Sequence, residues 1–144
     1  MSSTGPASVL TVVIIDDDVD YRLLVRALLR SLADVVSVVG DAEDGEEGLA
    51  VVRRTRPDIV ITDLMMPRMN GVVLATRIRE ELPQTKIILI SSRIEDAYRM
   101  MVSDSAVDVF IDKHVITGAL VPAIREVVSR RRSNGGASSA APPK

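Results

Sequence analysis

A chain of 144 residues, 47% of them apolar, is large enough to bury one sizeable core and too short for two ordinary domains. A net charge of −2 excludes a general attraction to nucleic acid or an anionic membrane surface, and the absence of cysteine excludes a disulfide frame or a thiolate metal site. No apolar stretch approaches the roughly 20 residues that span a bilayer, and the opening MSSTGPAS lacks the regions of a signal peptide, so the cytoplasm is the expected compartment.

In chain order, residues 1–8 are small and polar and are expected to be a flexible lead. Val- and Ile-rich runs then recur at 9–15 (VLTVVII), 35–39 (VVSVV), 58–62 (DIVIT), 86–90 (KIILI) and 107–111 (VDVFI). They are too short for helices and too continuous for one-sided sheets, so they read as five strands buried on both faces. Between them lie helical spacings: Tyr21, Leu24, Val25, Leu28 and Leu32; Leu74, Ile78 and Leu82; Leu120, Ile124 and Val127. Strands alternating with helices predict an α/β fold with a parallel sheet covered on both sides. Arg130, Arg131 and Arg132 read as a solvated helix end. The stretch 133–144 (SNGGASSAAPPK) has the composition of a flexible tail or linker, leaving 9–132 as the folded domain.

In such a sheet, ligands are expected outside the carboxyl ends of the strands. Those ends carry the charged residues: Asp16 and Asp17 after the first, Asp63 at the third, Ser91 and Ser92 at the fourth, Lys113 just beyond the fifth. Asp18 has the type and place of a helix cap. Pro67 and Gly71 are expected to shape the loop that follows Asp63.

The chain from about Val9 to Arg132 resembles the receiver domain of two-component response regulators. The resemblance rests on VVIIDDD, DGEEGL, RPDIVITDLMMPRMNG, IILISS and VFIDK. It implies one doubly wound, flavodoxin-like sheet of five parallel strands in the order 2-1-3-4-5, flanked by five helices. It also implies that Asp63 accepts a phosphoryl group, with Lys113 and Ser91 contacting that group. Asp16, Asp17, Asp63 and the backbone carbonyl of Met65 would hold Mg2+, or Mn2+ in its place, with Asp16 acting mostly through water. Without metal or phosphate, Lys113 is expected to pair with Asp63. Ser91 and Phe110 would form the switch that reshapes the surface of the fourth helix, fifth strand and fifth helix. Met65 and Arg93 would border the phosphoryl group and the water that hydrolyses it, and their bulk predicts a long-lived phosphoryl state.

The partners so implied are a histidine kinase or phosphotransfer protein as donor, and as recipient a downstream effector protein or a C-terminal output domain absent from this chain. A homodimer linked to phosphorylation is a further arrangement compatible with the family. Direct nucleic-acid binding and membrane association are not expected. The role is regulatory, with catalysis confined to the chain's own phosphorylation and dephosphorylation. The chain departs from the commoner pattern at His114, where many receivers have proline, at Ser103 to Ser105 before the fifth strand, and at Pro122, which requires the last helix to start near Val121 or to kink. Three other readings stay open: a phosphorylation-independent interaction module, a phosphohydrolase with an aspartate nucleophile, and a flavin-binding protein of similar fold. Asp16-x-Asp18 lacks the Gly-Thr of such hydrolases, and DDDVDY would repel a flavin phosphate.

Overall fold

The computed structural model describes residues 8–93, 95 and 106–140, without the side chains of 134–140. Five strands form one parallel sheet: β1 (Leu10–Ile15), β2 (Val36–Ala42), β3 (Ile59–Asp63), β4 (Lys86–Ser91) and β5 (Val109–Asp112). Their order, β2-β1-β3-β4-β5, is the expected one. The helices are α1 (Val19–Leu29), α2 (Gly45–Thr55), α3 (Gly71–Glu81) and α4 (Ile116–Ala140), with short 3-10 helices at Arg30–Leu32 and Lys113–Val115. Five helices were expected. The remaining one, together with Met100, Met101 and Ser103 to Ser105, falls between β4 and β5 on residues outside those described.

The alternation of side chains along each strand divides the core into two layers. Val12, Ile14, Ile59, Ile61, Ile88 and Ile90 face α1 and α4, where Val25, Leu29, Leu120 and Ile124 meet them. Val13, Ile15, Val60 and Ile87 face α2 and α3, where Leu49, Val52, Leu74 and Ile78 meet them. Each such side chain fully buried contributes about 1.5–3 kcal/mol. Burial on both faces holds for β1, β3 and β4 but not for the edge strands. Ser37 and Val39 of β2 are exposed, and β5 is mostly half-buried. An edge strand packs against one neighbour only, so the same apolar composition leaves part of it in water.

Three further differences have simple causes. Leu24, assigned inward by its spacing, is exposed, and Leu29 takes the buried place because α1 turns Val25 and Leu29 to the sheet, followed by Leu32 of the 3-10 helix. Pro122 neither starts nor ends a helix: α4 begins six residues earlier, at Ile116, and runs through it. The residue four before it is Gly118, whose carbonyl receives no helical hydrogen bond from Pro122 because proline has no backbone N–H. The same helix continues to Ala140, into the stretch expected as tail. Gly135 and Gly136 weaken a helix but do not forbid it, and no proline intervenes until Pro142. Among the described residues, no helix is long and apolar enough to cross a membrane.

Asp58 anchors the amino end of the sheet. Its carboxylate accepts from Thr11 N at 2.8 Å and from Arg131 Nη2 at 3.0 Å, tying β1, β3 and α4 together. The opposite end is held by the loop after Asp63, where the Gly71 amide donates to the Leu64 carbonyl at 2.7 Å. A Cβ on Gly71 would stand 2.3 Å from the Asp63 carbonyl oxygen and 2.7 Å from a Leu89 methyl. Only glycine lets α3 begin so close to the β3 backbone. Gly71→Ala is therefore expected to lower stability by about 1–3 kcal/mol in a denaturant titration. An unchanged midpoint would contradict this packing.

Candidate functional site

Strand register brings the charged residues together. Ile15 pairs with Thr62, so Asp16 and Asp63 follow side by side at the carboxyl edge of adjacent strands. Carboxylate oxygens of Asp16, Asp17 and Asp63 lie within 4.8 Å of one another. Asp16 and Asp63 are buried and Asp17 is exposed, so the cluster is a pocket with one open wall. Two carboxylates at that distance repel by about 3 kcal/mol at an effective dielectric of about 20.

Lys113 relieves part of this repulsion. From the 3-10 turn after β5, its Nζ reaches Asp16 Oδ2 at 3.2 Å and Asp63 Oδ1 at 3.4 Å. Pairing with Asp63 was expected, and the slightly closer contact with Asp16 was not. It arises because Asp16 is buried at the same strand edge rather than turned to water. Burial foremost, then the charge of Asp16, pushes the Asp63 carboxyl up to about 6 against the opposing pull of Lys113. Burial also raises Asp16, although its Oδ1 accepts from Asp18 N at 2.9 Å and Lys113 stands beside it. For Lys113, burial works to lower the pKa, but the Asp63 and Asp16 charges outweigh it and the net direction is up.

Local sequence supports each group. Asp18 caps α1 as expected, accepting from Asp20 N at 2.9 Å. Asp44 caps α2 and Asn70 caps α3, so these helices also begin at this end of the sheet. Between Asp63 and α3 the chain turns through Arg68, whose φ of 71° is left-handed, and its guanidinium pairs with Asp44. Thr62 Oγ1 donates to the Asp63 carbonyl at 3.0 Å.

The other expected residues surround the pocket. Ser91 is fully buried at the end of β4, and its Oγ accepts from Arg93 N at 2.9 Å, which leaves its own proton to donate elsewhere. Phe110 is half-buried in β5 against Leu64 and Leu89. Met65 is 52% exposed two residues beyond Asp63, and Arg93 is exposed two residues beyond Ser91. His114 is exposed, with Nδ1 2.8 Å from Asp112 Oδ1.

Two residues of α1 at the site did not stand out in the sequence. Arg22 donates from Nη1 to the Asp16 carbonyl at 2.5 Å. Tyr21 sets its ring centroid 4.2 Å from Lys113 Nζ. Burial first, then the charges of Asp16, Asp63 and Asp112, pushes its phenol up to about 12. Its helical spacing marks Tyr21 only as a core position, and nothing in the sequence pairs it with a lysine 92 positions later.

Chemically, the pocket offers hard oxygen donors in an open cluster, which suits a small divalent cation. One of the three, Asp63, is a carboxylate able to act as nucleophile, and beside it stands the Lys113 ammonium on its flexible stem. Residues 12–125 match the family model described as the response regulator receiver domain. Over 115 residues the chain is 32% identical to the response regulator protein VraR of Staphylococcus aureus, covering 80% of this chain and 54% of VraR. The chain thus spans about half the length of such curated relatives. Among solved structures, the signal receiver domain of the response regulator NarL from Mycobacterium tuberculosis is similar at 31% identity and a TM-score of 0.75, over 85% of this chain and 98% of that one. The receiver domain of AraT, a response regulator from Geobacillus stearothermophilus, is similar at 29% identity and a TM-score of 0.80, over 89% and 99%. With this sheet order and this acidic edge, the chain belongs to the family of response regulator receiver domains.

Proposed function

We propose that this domain is a phosphorylation-activated switch in which Asp63 accepts a phosphoryl group from a histidine kinase or phosphotransfer protein in the presence of Mg2+. The observation that carries this reading is the convergence of three carboxylates and Lys113 at one pocket. A binding module that never met a phosphoryl group would have no need to bury Asp16 beside Asp63, since burial raises both carboxyls and the charge of Asp16 raises Asp63 further.

Asp16, Asp17 and Asp63 would hold Mg2+ or Mn2+, with the Met65 carbonyl as a neutral ligand. The bound ion would neutralise phosphoryl oxygens and keep Asp63 ionised. In the transfer, an Asp63 carboxylate oxygen forms the new P–O bond in line with the breaking P–N bond of the donor. The leaving nitrogen takes the bonding electron pair and a proton, and an acyl phosphate remains on Asp63. Lys113 then shifts its ammonium from the carboxylates to a phosphoryl oxygen. The Ser91 hydroxyl, whose oxygen already accepts from Arg93 N, turns its proton to another phosphoryl oxygen.

The switch would follow from Ser91 moving with its loop toward the phosphoryl group as it donates. Phe110 moves into the space so opened, and the face built from β5, α4 and the segment before β5 changes shape. Its half-buried position against Leu64 and Leu89 supports this role, because Leu64 directly follows Asp63. The readout passes to an effector protein or an output domain, and a phosphorylation-linked homodimer fits the same surface. The role is regulatory, acting on no substrate beyond the chain's own acyl phosphate.

The donor must reach Asp63 through the exposed wall. Val19, Met65 and Val115 are exposed apolar residues, each two positions from a charged member of the pocket (Asp17, Asp63 and Lys113), and Leu23 lies one turn beyond Val19. Such a collar suits the apolar face of a donor helix. Met65 and Arg93 also narrow the approach of water and would lengthen the phosphoryl lifetime.

Intact mass after incubation with phosphoramidate tests the reading. It should show one phosphoryl adduct that requires Mg2+ and is absent from Asp63→Asn. An unmodified wild type would sink it. Followed with time, the adduct should decay severalfold faster in the double variant Met65→Asn, Arg93→Ser, and an unchanged decay would remove these two residues from hydrolysis. For the switch, phosphorylation should alter hydrogen exchange across β5 and the start of α4. That difference should largely vanish in Phe110→Ala, and its persistence would assign the switch elsewhere.

A further inference from the structure

The α1 wall of the pocket carries a side chain that the transfer described above does not use. Tyr21 lies three residues past the cap Asp18, in the first turn of α1, with its ring under the Lys113 ammonium. Its phenol oxygen is shut off from solvent and has no hydrogen-bond partner among the described residues, so no polar contact of the hydroxyl with them holds the ring there. What the ring presents to Lys113 is its π face, 4.2 Å from centroid to Nζ. Lysine carries its charge on a flexible four-carbon stem, and the Lys113 side chain is still 20% exposed. The two carboxylates pull the ammonium inward, and the ring bounds it from another side.

We infer that Tyr21 is a positioning residue for phosphoryl transfer, its ring face holding the Lys113 ammonium beside Asp63 at the place from which it reaches a phosphoryl oxygen. The inference rests on the reading of Asp63 as the phosphoryl acceptor. Three features of the site support it. An aromatic face attracts a cation, more strongly when water is excluded, and this one is partly buried against the α1 and α4 core layer. The next residue, Arg22, donates to the Asp16 carbonyl, which fixes the first turn of α1 relative to the carboxylates. Asp18 caps the same turn through Asp20 N and Tyr21 N, at 2.9 and 3.4 Å, so the ring is held by its backbone as well as by its packing.

The ring face, and not the hydroxyl, is assigned the role, which separates two substitutions. Tyr21→Phe keeps the face and removes an oxygen that has no partner among the described residues. Tyr21→Leu keeps much of the apolar packing and removes the face.

The test is the rate of phosphorylation by phosphoramidate at saturating Mg2+, read by intact mass, for the wild type, Tyr21→Phe and Tyr21→Leu. Each is compared with the same protein carrying Lys113→Ala. Tyr21→Phe should retain most of the wild-type rate and Tyr21→Leu should be slower by about fivefold. With Lys113 replaced, Tyr21→Leu should bring no further slowing, because the ring acts through that lysine. If Tyr21→Leu does not fold, Tyr21→Met, which fills similar volume without a π face, takes its place. Equal slowing by Phe and Leu, no slowing by Leu, or slowing that persists undiminished without Lys113 would each overturn the inference. A wild type that forms no adduct would remove the acceptor reading and this inference with it.

Discussion

The rest of the site depends on the burial of like charges at one sheet edge. Parallel pairing of β1 with β3 places Asp16 next to Asp63, and the surrounding strands and loops keep most water away from both. One lysine offsets part of the repulsion, and the Asp63 carboxyl still rises to about 6. The sign of its effect on the fold follows directly. A carboxyl whose folded-state pKa lies above its unfolded value opposes folding once ionised, so this contribution is absent at low pH and grows as pH rises from about 4 to 6. The pocket is thus strained electrostatically at neutral pH. Under the proposed function, a divalent cation, and then a phosphoryl group held between that cation and Lys113, would answer that strain.

Much of the remaining architecture keeps this arrangement in place. Gly71 allows α3 to start against the Asp63 backbone, and Arg68 ties the intervening turn to the cap of α2. Arg22 and Tyr21 bring α1 to Asp16 and Lys113. At the opposite end, Asp58 joins β1, β3 and α4 through Thr11 and Arg131, which fixes the register that Asp16 and Asp63 depend on. The apolar layers supply the stability against which the charged edge is maintained.

The strands and the charged edge were legible because both follow from local pattern: continuous Val and Ile runs, four of the five followed at once by Asp or Ser. What the pattern hides is pairing between elements. Arg131 reads as one of three basic residues at a helix end, yet it closes on Asp58 because the register of α4 against the sheet brings them together. Tyr21 reads as a core residue, yet it meets Lys113 across the fold. Leu24 and Leu29 both fit an apolar face within the tolerance of helical spacing, and only the docking angle of α1 selects Leu29. The edge strands have the composition of central ones, so their partial exposure depends on sheet order. Gly and Ser after Arg132 have the composition of a tail, and composition alone does not show that α4 extends to Ala140.

The most direct measurement is a carbon-13 NMR titration of the Asp63 carboxyl, with and without Mg2+. Buried like charges predict a midpoint near 6 in the absence of the cation and a clear downward shift when it is added. A midpoint near the ordinary aspartate value of about 3.9 in both conditions would contradict the account, since Asp63 would then be a solvated surface carboxylate without the electrostatic strain assigned to it.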